Sequence, residues 1–132
     1  KIAIRPGKPL LFGALNGLPI MGLPGNPVSA MVCSFLFLKP AIDRLLGLAG
    51  NPPARERVVL GASLDANDRR EDYLRARLET VAGQLTAIPL PRQDSAMIAA
   101  LAAADALIVR PPLAPAAAAG TWIEIVRLDG LA

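Results

Sequence analysis

Gly22-Leu23-Pro24-Gly25-Asn26-Pro27-Val28-Ser29 is the stretch on which the fold turns. An apolar run ends there in a proline–glycine turn, and the turn opens directly onto a helix start. Asn26 is a favoured N-cap, and Pro27 suits the first helical position, where its missing N–H costs nothing. The N–H groups of Val28, Ser29 and Ala30 are then expected to lack intrahelical partners, with the helix dipole adding partial positive charge. Such a helix start attracts phosphate-like anions. The same letters are also good grammar for a plain strand–turn–helix joint. What favours an anion site is the loop upstream, Arg5-Pro6-Gly7-Lys8-Pro9, which offers two cations to the same region.

Outward from that stretch, residues 1–5 alternate and read as a strand. Residues 10–15 and 18–23 read as extended, separated by the tight-turn pair Asn16-Gly17. The helix over 27–38 is apolar on nearly every face, through Val28, Ala30, Met31, Val32, Cys33, Phe35, Leu36 and Phe37. An all-round apolar helix belongs inside a larger layered domain; the first fifty residues do not supply its neighbours, so sequence upstream is expected to complete the α/β sheet around it. Pro40 is expected to kink or break it before a second helical piece over 41–46. Gly47, Gly50, Pro52 and Pro53 make residues 47–54 the linker candidate.

From Arg55 onward the pattern changes to short strands. Residues 57–60 form the first, followed by a polar turn with Asp65, Asn67 and Asp68. Residues 73–81 alternate, Leu74, Ala76 and Leu78 against Arg75, Arg77 and Glu79, as a half-buried strand does. A helix is the competing reading there, because Leu74, Leu78 and Val81 are also spaced i, i+4, i+7. Gly83-Gln84 turns into a strand over 85–90, Ser95 caps a short helix over 96–103, and 106–110 and 121–128 complete the set. Five short strands in about eighty residues point to a small barrel or sandwich. The Pro/Ala-rich connector 111–120 offers no chemistry, and no internal repeat is visible.

Composition narrows the chemistry. The chain has 132 residues, one cysteine, no histidine and 4% aromatics. A histidine base and any His- or Cys-rich metal site within this chain are excluded. Cys33 has no intramolecular disulfide partner and reads as a buried hydrophobe in a reducing, cytoplasmic setting. An all-oxygen Mg²⁺ site from Asp or Glu stays open, although no acidic cluster with suitable spacing is present. The net charge is +3, yet Lys1, Arg5, Lys8 and Lys39 all precede the first carboxylate, Asp43. That imbalance implies a local field favouring a small phosphorylated or oxyanionic ligand. No aromatic-interleaved basic stripe supports nucleic acid, and the apolar run 28–38 is too short to span a membrane. The chain begins without methionine, inside a strand, and reads as a piece of a longer protein.

The pattern Arg5-PGKP-x2-FG, a short glycine-containing stretch, GLPGNPVS and an apolar helix reaching Lys39-Pro40 closely resembles the MoeA family. These are molybdopterin molybdotransferases related to the gephyrin E domain. Arg69-Arg70-Glu71-Asp72-Tyr73-Leu74-Arg75 is similar to the family's Gly-Arg-x-x-Phe-x-Arg strand, and Gln93-Asp94-Ser95 to its Gln-Gly-Ser, with Asp94 in place of the glycine. The resemblance implies an α/β part followed by an all-β part. Residues 1–50 would end a three-layer, MogA-like, molybdopterin-binding α/β domain, and 51–132 would form the family's small C-terminal β-barrel.

It further implies that molybdate-derived molybdenum is inserted into adenylylated molybdopterin with release of AMP, assisted by Mg²⁺. The ligands of that ion would lie upstream of this chain. Family members are dimers whose site lies between the α/β domain of one subunit and the barrel of the other. Carried over residue by residue, Lys8 and Arg5 become the electrostatic clamp of catalysis, with Arg5 standing where the family often has Lys. Gly25, Asn26, Pro27, Ser29, Arg70, Arg75 and Ser95 become substrate contacts. The bland alternatives are a solvated loop lysine, a helix cap at Asn26, a hydroxyl of Ser29 bonding back to it, and an exposed strand face for the arginines. Glu71 and Asp72 are expected to balance nearby arginines. The isolated chain is expected to be inactive. Two other functions compete: a MogA-type adenylyltransferase, against which residues 55–132 argue because that type lacks the barrel, and a gephyrin-like dimerising, peptide-binding scaffold.

Overall fold

Two hydrophobic layers, one inside a barrel and one against its outer wall, organise the chain. The structure, a computed structural model, describes residues 3–6, 10–91 and 101–129. It begins with β1 (Ile4–Arg5) and a hairpin of β2 (Leu11–Leu15) and β3 (Leu18–Gly22). A helical run follows: α1 (Pro27–Cys33), a π-helical turn (Ser34–Leu38) and α2 (Lys39–Leu45). Then come β4 (Arg55–Leu60), β5 (Glu71–Val81), β6 (Gln84–Pro89), β7 (Ala106–Arg110) and β8 (Trp122–Arg127).

The five strands β4 to β8 close on themselves. β4 pairs β8, β8 pairs β7, β7 pairs β5 and β5 pairs β6, all antiparallel, while β6 returns to β4 in parallel. A five-stranded barrel is narrow, so its interior is filled by side chains. Leu60, Ala76, Ala87, Ala106, Ile108 and Ile125 are there, each with no exposed surface. Leu74, Ala76 and Leu78 line that interior as the alternation predicts, which settles the strand over the helix. β1 adds a sixth strand in parallel, at Ile4↔Glu71 and Arg5↔Asp72. It occupies the part of the β5 edge that β6, paired from Ala76 to Val81, leaves open.

The second layer adds a neighbour that the sequence does not announce. The buried face of the helix, Val28, Val32, Cys33, Phe35 and Leu36, packs on Tyr73, Leu107, Val109, Val126 and Leu128 of the barrel's outer wall. Part of what surrounds the apolar helix is therefore the barrel itself. Every residue of β7 is buried because one face looks into the barrel and the other meets this layer. Met31, Ile42 and Leu45 on the helix, and Leu11, Phe12, Leu15, Leu18 and Ile20 on the hairpin, are exposed.

Pro40 does not break the helix. The run passes through the π-turn, in which the Lys39 N–H reaches the Ser34 carbonyl five residues back. The wider turn accommodates the residue that has no N–H to give. Two turn assignments can be compared directly. Asn16 and Gly17 both take positive φ, 50° and 81°, as the tight turn requires. The second turn is centred on Ala82-Gly83, with φ of 49° and 79°, one residue earlier than Gly83-Gln84; Val81 and Gln84 are the last paired residues. No helix among the described residues is long and apolar enough to cross a membrane.

Candidate functional site

The helix start forms as its letters require. Asn26 is the N-cap, Pro27 stands in the first turn, and the Asn26 side-chain oxygen accepts the Ser29 N–H at 3.1 Å. The Ala30 N–H donates to the Asn26 carbonyl at 2.9 Å. Of the three N–H groups expected to lack partners, two are therefore engaged by Asn26 itself, and Ser29 is buried. Gly25 and Pro27 are exposed beside them. Lys8 and Ser95, and the whole Gln93-Asp94-Ser95 segment, lie outside the described residues.

Arg5 and Arg70 converge elsewhere, at one end of the barrel. Arg5 ends β1, and its Nη1 lies 3.2 Å from Asp72 Oδ2 while its Nη2 bonds Asp68 Oδ2. The Arg70 backbone N–H donates to Asp68 Oδ1 at 2.8 Å, and its Nη2 lies 3.4 Å from Oδ2. Asp72 shares a barrel-facing row with Leu74 and Ala76, and its cross-strand partner is Arg110. The Arg110 Nη2 turns to the carbonyls of Asp65 and Pro115. The Asn67 amide bonds the carbonyls of Arg70, Arg110 and Pro111, joining the loop before β5 to the end of β7. The connector 111–120 thus helps build this end: Leu64 and Ala117 pair across it as an isolated bridge.

These partners set the two carboxylates apart. The Arg70 N–H and the guanidinium groups beside it hold Asp68 below the usual carboxylate range. Burial pushes Asp72 up, with Arg5 opposing the shift. Asp72 Oδ1 is buried and has no hydrogen-bond partner. Glu71, on the opposite face, accepts from Tyr73 Oη at 2.6 Å and from Arg55 at 3.1 Å. Glu71 and Asp72 do balance arginines, as expected.

Two readings change, and one feature is new. Arg75 is buried, 3% exposed, and not part of an open strand face; Arg77 and Glu79 further along are exposed. The positive field inferred for the first forty-two residues is partly cancelled, because Arg5 finds Asp68 and Asp72, and Lys39 finds Asp43 at 2.7 Å. Counting charges along the chain misses carboxylates that folding brings in from sixty residues away. Finally, a groove of about 380 Å³ lies where the helix meets the barrel, lined by Phe35, Lys39, Pro40, Pro53, Glu56 and Arg127 among others. No predicted site residue lines it, and nothing in the sequence singles it out.

Among the described residues, no three carboxylate, thiol or imidazole groups come together in a way that would hold a metal ion. Asp68 and Asp72 share the Arg5 guanidinium, and arginines engage both. The described residues do not fit a Mg²⁺ site.

With this geometry in view, residues 57–128 match the family description "MoeA C-terminal region (domain IV)". The chain belongs to the MoeA family. The match covers β4 to β8 almost entirely, which makes the five-stranded barrel of this chain a MoeA-family barrel.

A molybdopterin molybdenumtransferase 2 of Mycobacterium tuberculosis is 35% identical over 125 residues, covering 95% of this chain and 30% of that protein. The molybdenum cofactor synthesis protein cinnamon of Drosophila melanogaster is 33% identical over 115 residues, 84% of this chain and 19% of its own length. Among solved structures, a molybdopterin biosynthesis MoeA protein of Pyrococcus horikosii superposes with a TM-score of 0.74 at 26% identity, covering 96% of this chain and 30% of that one. The chain thus spans less than a third of the length of each of these three relatives.

Proposed function

We propose that this chain is the C-terminal part of a molybdopterin molybdotransferase acting in molybdenum cofactor biosynthesis. Molybdate-derived molybdenum would enter adenylylated molybdopterin as the phosphoanhydride is cleaved and AMP leaves. The observation that carries this reading is the family match over the barrel, reinforced by the 35% identity that extends across 95% of the chain.

The chemistry asked of these residues is modest. Charge on the pyrophosphate and on molybdate has to be neutralised, and the reactants held in place; cationic side chains and backbone N–H groups suffice for both. Lys8 is the clamp in this reading. The exposed turn at Gly25 and Pro27 lets backbone approach an anionic ligand, and Arg70 stands on the barrel side. Since Ser29 gives its N–H to Asn26, its contribution would come through the hydroxyl. Mg²⁺ would be held by carboxylates supplied upstream in the longer protein, and a homodimer would bring the barrel of one subunit to the α/β part of the other. The isolated chain would then be inactive.

The test is AMP release from purified adenylylated molybdopterin by the full-length parent, with and without molybdate and Mg²⁺. Molybdate-stimulated release is expected. Tight ligand binding without release would move the weight to a gephyrin-like scaffold.

A further inference from the structure

Three donors from two arginines converge on one exposed carboxylate. The Arg70 backbone N–H donates to Asp68 Oδ1 at 2.8 Å, Arg70 Nη2 lies 3.4 Å from Oδ2, and Arg5 Nη2 bonds the same Oδ2. Two guanidinium groups and a backbone N–H around a pair of oxygens are the parts of an oxyanion receptor. Here the oxygens belong to the chain itself. Arg5 and Arg70 are the residues that the family resemblance carries over to catalysis and substrate contact. The Asp68 carboxylate therefore stands where oxygens of a ligand would be expected.

Asp68 is the partner able to leave. Its side chain is 49% exposed, against 8% for Asp72, the other carboxylate on Arg5. Asp72 is held by burial, with Arg70 and Arg110 acting on its charge as well as Arg5. Exposed ion pairs hold weakly, because water competes for both charges. The backbone at Asp68 is pinned independently of its carboxylate. Its N–H donates to Asn67 Oδ1 at 2.9 Å, and its carbonyl accepts the Leu113 N–H at 2.7 Å. The Arg70 carbonyl is held in turn by the Asn67 amide at 2.7 Å. Rotating the Asp68 side chain outward would leave the donors close to where they are. A tetrahedral dianion entering there brings a second negative charge and more oxygens to meet the two forks.

We propose that Asp68 is an internal counter-anion: its carboxylate occupies the seat formed by Arg5, Arg70 and the Arg70 N–H until the oxyanion substrate displaces it. Asp68 thereby sets the concentration at which the seat fills, because the oxyanion binds only the fraction of molecules in which the carboxylate has turned away. The inference rests on the molybdotransferase reading for the identity of the oxyanion, while the competition itself is testable without turnover.

The experiment titrates the full-length parent with molybdate alone, by calorimetry, as wild type, D68N and D65N. Asparagine at 68 keeps an oxygen for the Arg70 N–H and removes the charge. Asp65, three residues away in the same loop, is exposed and makes no ion pair among the described residues. D65N thus makes the same change in net charge with the seat untouched. D68N is expected to tighten the molybdate Kd about fivefold or more. D65N is expected to leave it within about twofold, since a solvated charge off the seat is screened. A Kd in D68N that is unchanged, weakened or beyond measurement overturns the proposal, and so does an equal gain in D65N. A crystal structure of the molybdate complex with Asp68 still bonding both guanidinium groups overturns it too. AMP release from adenylylated molybdopterin reads the consequence: D68N is expected to lower the KM for molybdate by the same factor. If D68N tightens molybdate but neither form releases AMP, the molybdotransferase reading has failed and the counter-anion stands. If molybdate stimulates AMP release but D68N matches the wild type, the counter-anion has failed and that reading stands.

Discussion

The Asn67 side-chain amide lies 2.9 Å from the Arg110 carbonyl, forty-three residues away in sequence, and bonds the Arg70 and Pro111 carbonyls as well. One side chain thus ties the loop before β5 to the end of β7, at the point where the barrel would otherwise open. Removing it strands several carbonyls at once. Asn67→Ala is expected to cost about 1–3 kcal/mol in urea unfolding. A change below the error of that measurement would mean that water replaces the amide without loss.

Ala82 takes φ of 49° at the first central position of the β5–β6 turn, a conformation that L-residues with a Cβ adopt at a cost. Asparagine tolerates it better and would create the favoured Asn-Gly pair with Gly83. Ala82→Asn is expected to stabilise the fold by about 0.5–1 kcal/mol, read as an upward shift of Tm.

Asn26→Asp keeps an oxygen for the Ser29 N–H while adding a negative charge at the helix start. Stability should therefore stay near that of the wild type. If an anionic substrate approaches this turn in the full-length enzyme, KM should rise roughly tenfold, about 1.4 kcal/mol of repulsion. An unchanged KM would leave Asn26 as a cap alone.

Burial raises the Cys33 thiol from 9.0 to about 11. At neutral pH it is protonated and enclosed, so native protein should resist thiol-labelling reagents until it unfolds. The pH dependence has a defined sign. Between 9.0 and about 11 the unfolded thiol has ionised while the folded one has not, so the unfolded state binds fewer protons and stability falls as pH rises. Cys33→Ala should flatten that part of the profile.

Lys8→Ala in the full-length protein is expected to cut AMP release by about two to three orders of magnitude, with Tm hardly changed. A large loss of Tm with normal turnover would make the lysine structural.

Local rules read this chain well wherever the cause is local. The Asn26-Pro27 helix start, the Asn16-Gly17 turn and the alternation through Leu74, Ala76 and Leu78 each depend on neighbours within a few residues, and each stands in the structure. What was not legible depends on distant partners. Arg75 reads as an outward strand residue, yet it is buried. The helix reads as needing neighbours from upstream, yet Leu107, Val109 and Val126 wait for it sixty residues and more downstream. Arg5 reads as a free cation because its carboxylates lie beyond residue 60. Pro40 reads as a helix breaker because nothing in its immediate sequence announces a π-turn ahead of it. Strand count and spacing narrow the second part to a small barrel or sandwich, and the family resemblance favours the barrel; its closure through one parallel pair, β4 with β6, is not legible.

The two-layer core has a practical consequence for anyone dividing this polypeptide. Leu107 is fully enclosed, and Val109 and Val126 are each 2% exposed, with the helix packed over them. A shortened version starting at Arg55 would keep all five barrel strands and every interior contact, yet it would present that wall bare to solvent. Contiguous aliphatic surface on exposed β-structure promotes self-association. Such a version should fold and then precipitate, so poor solubility there would report a missing cover, not a defective barrel.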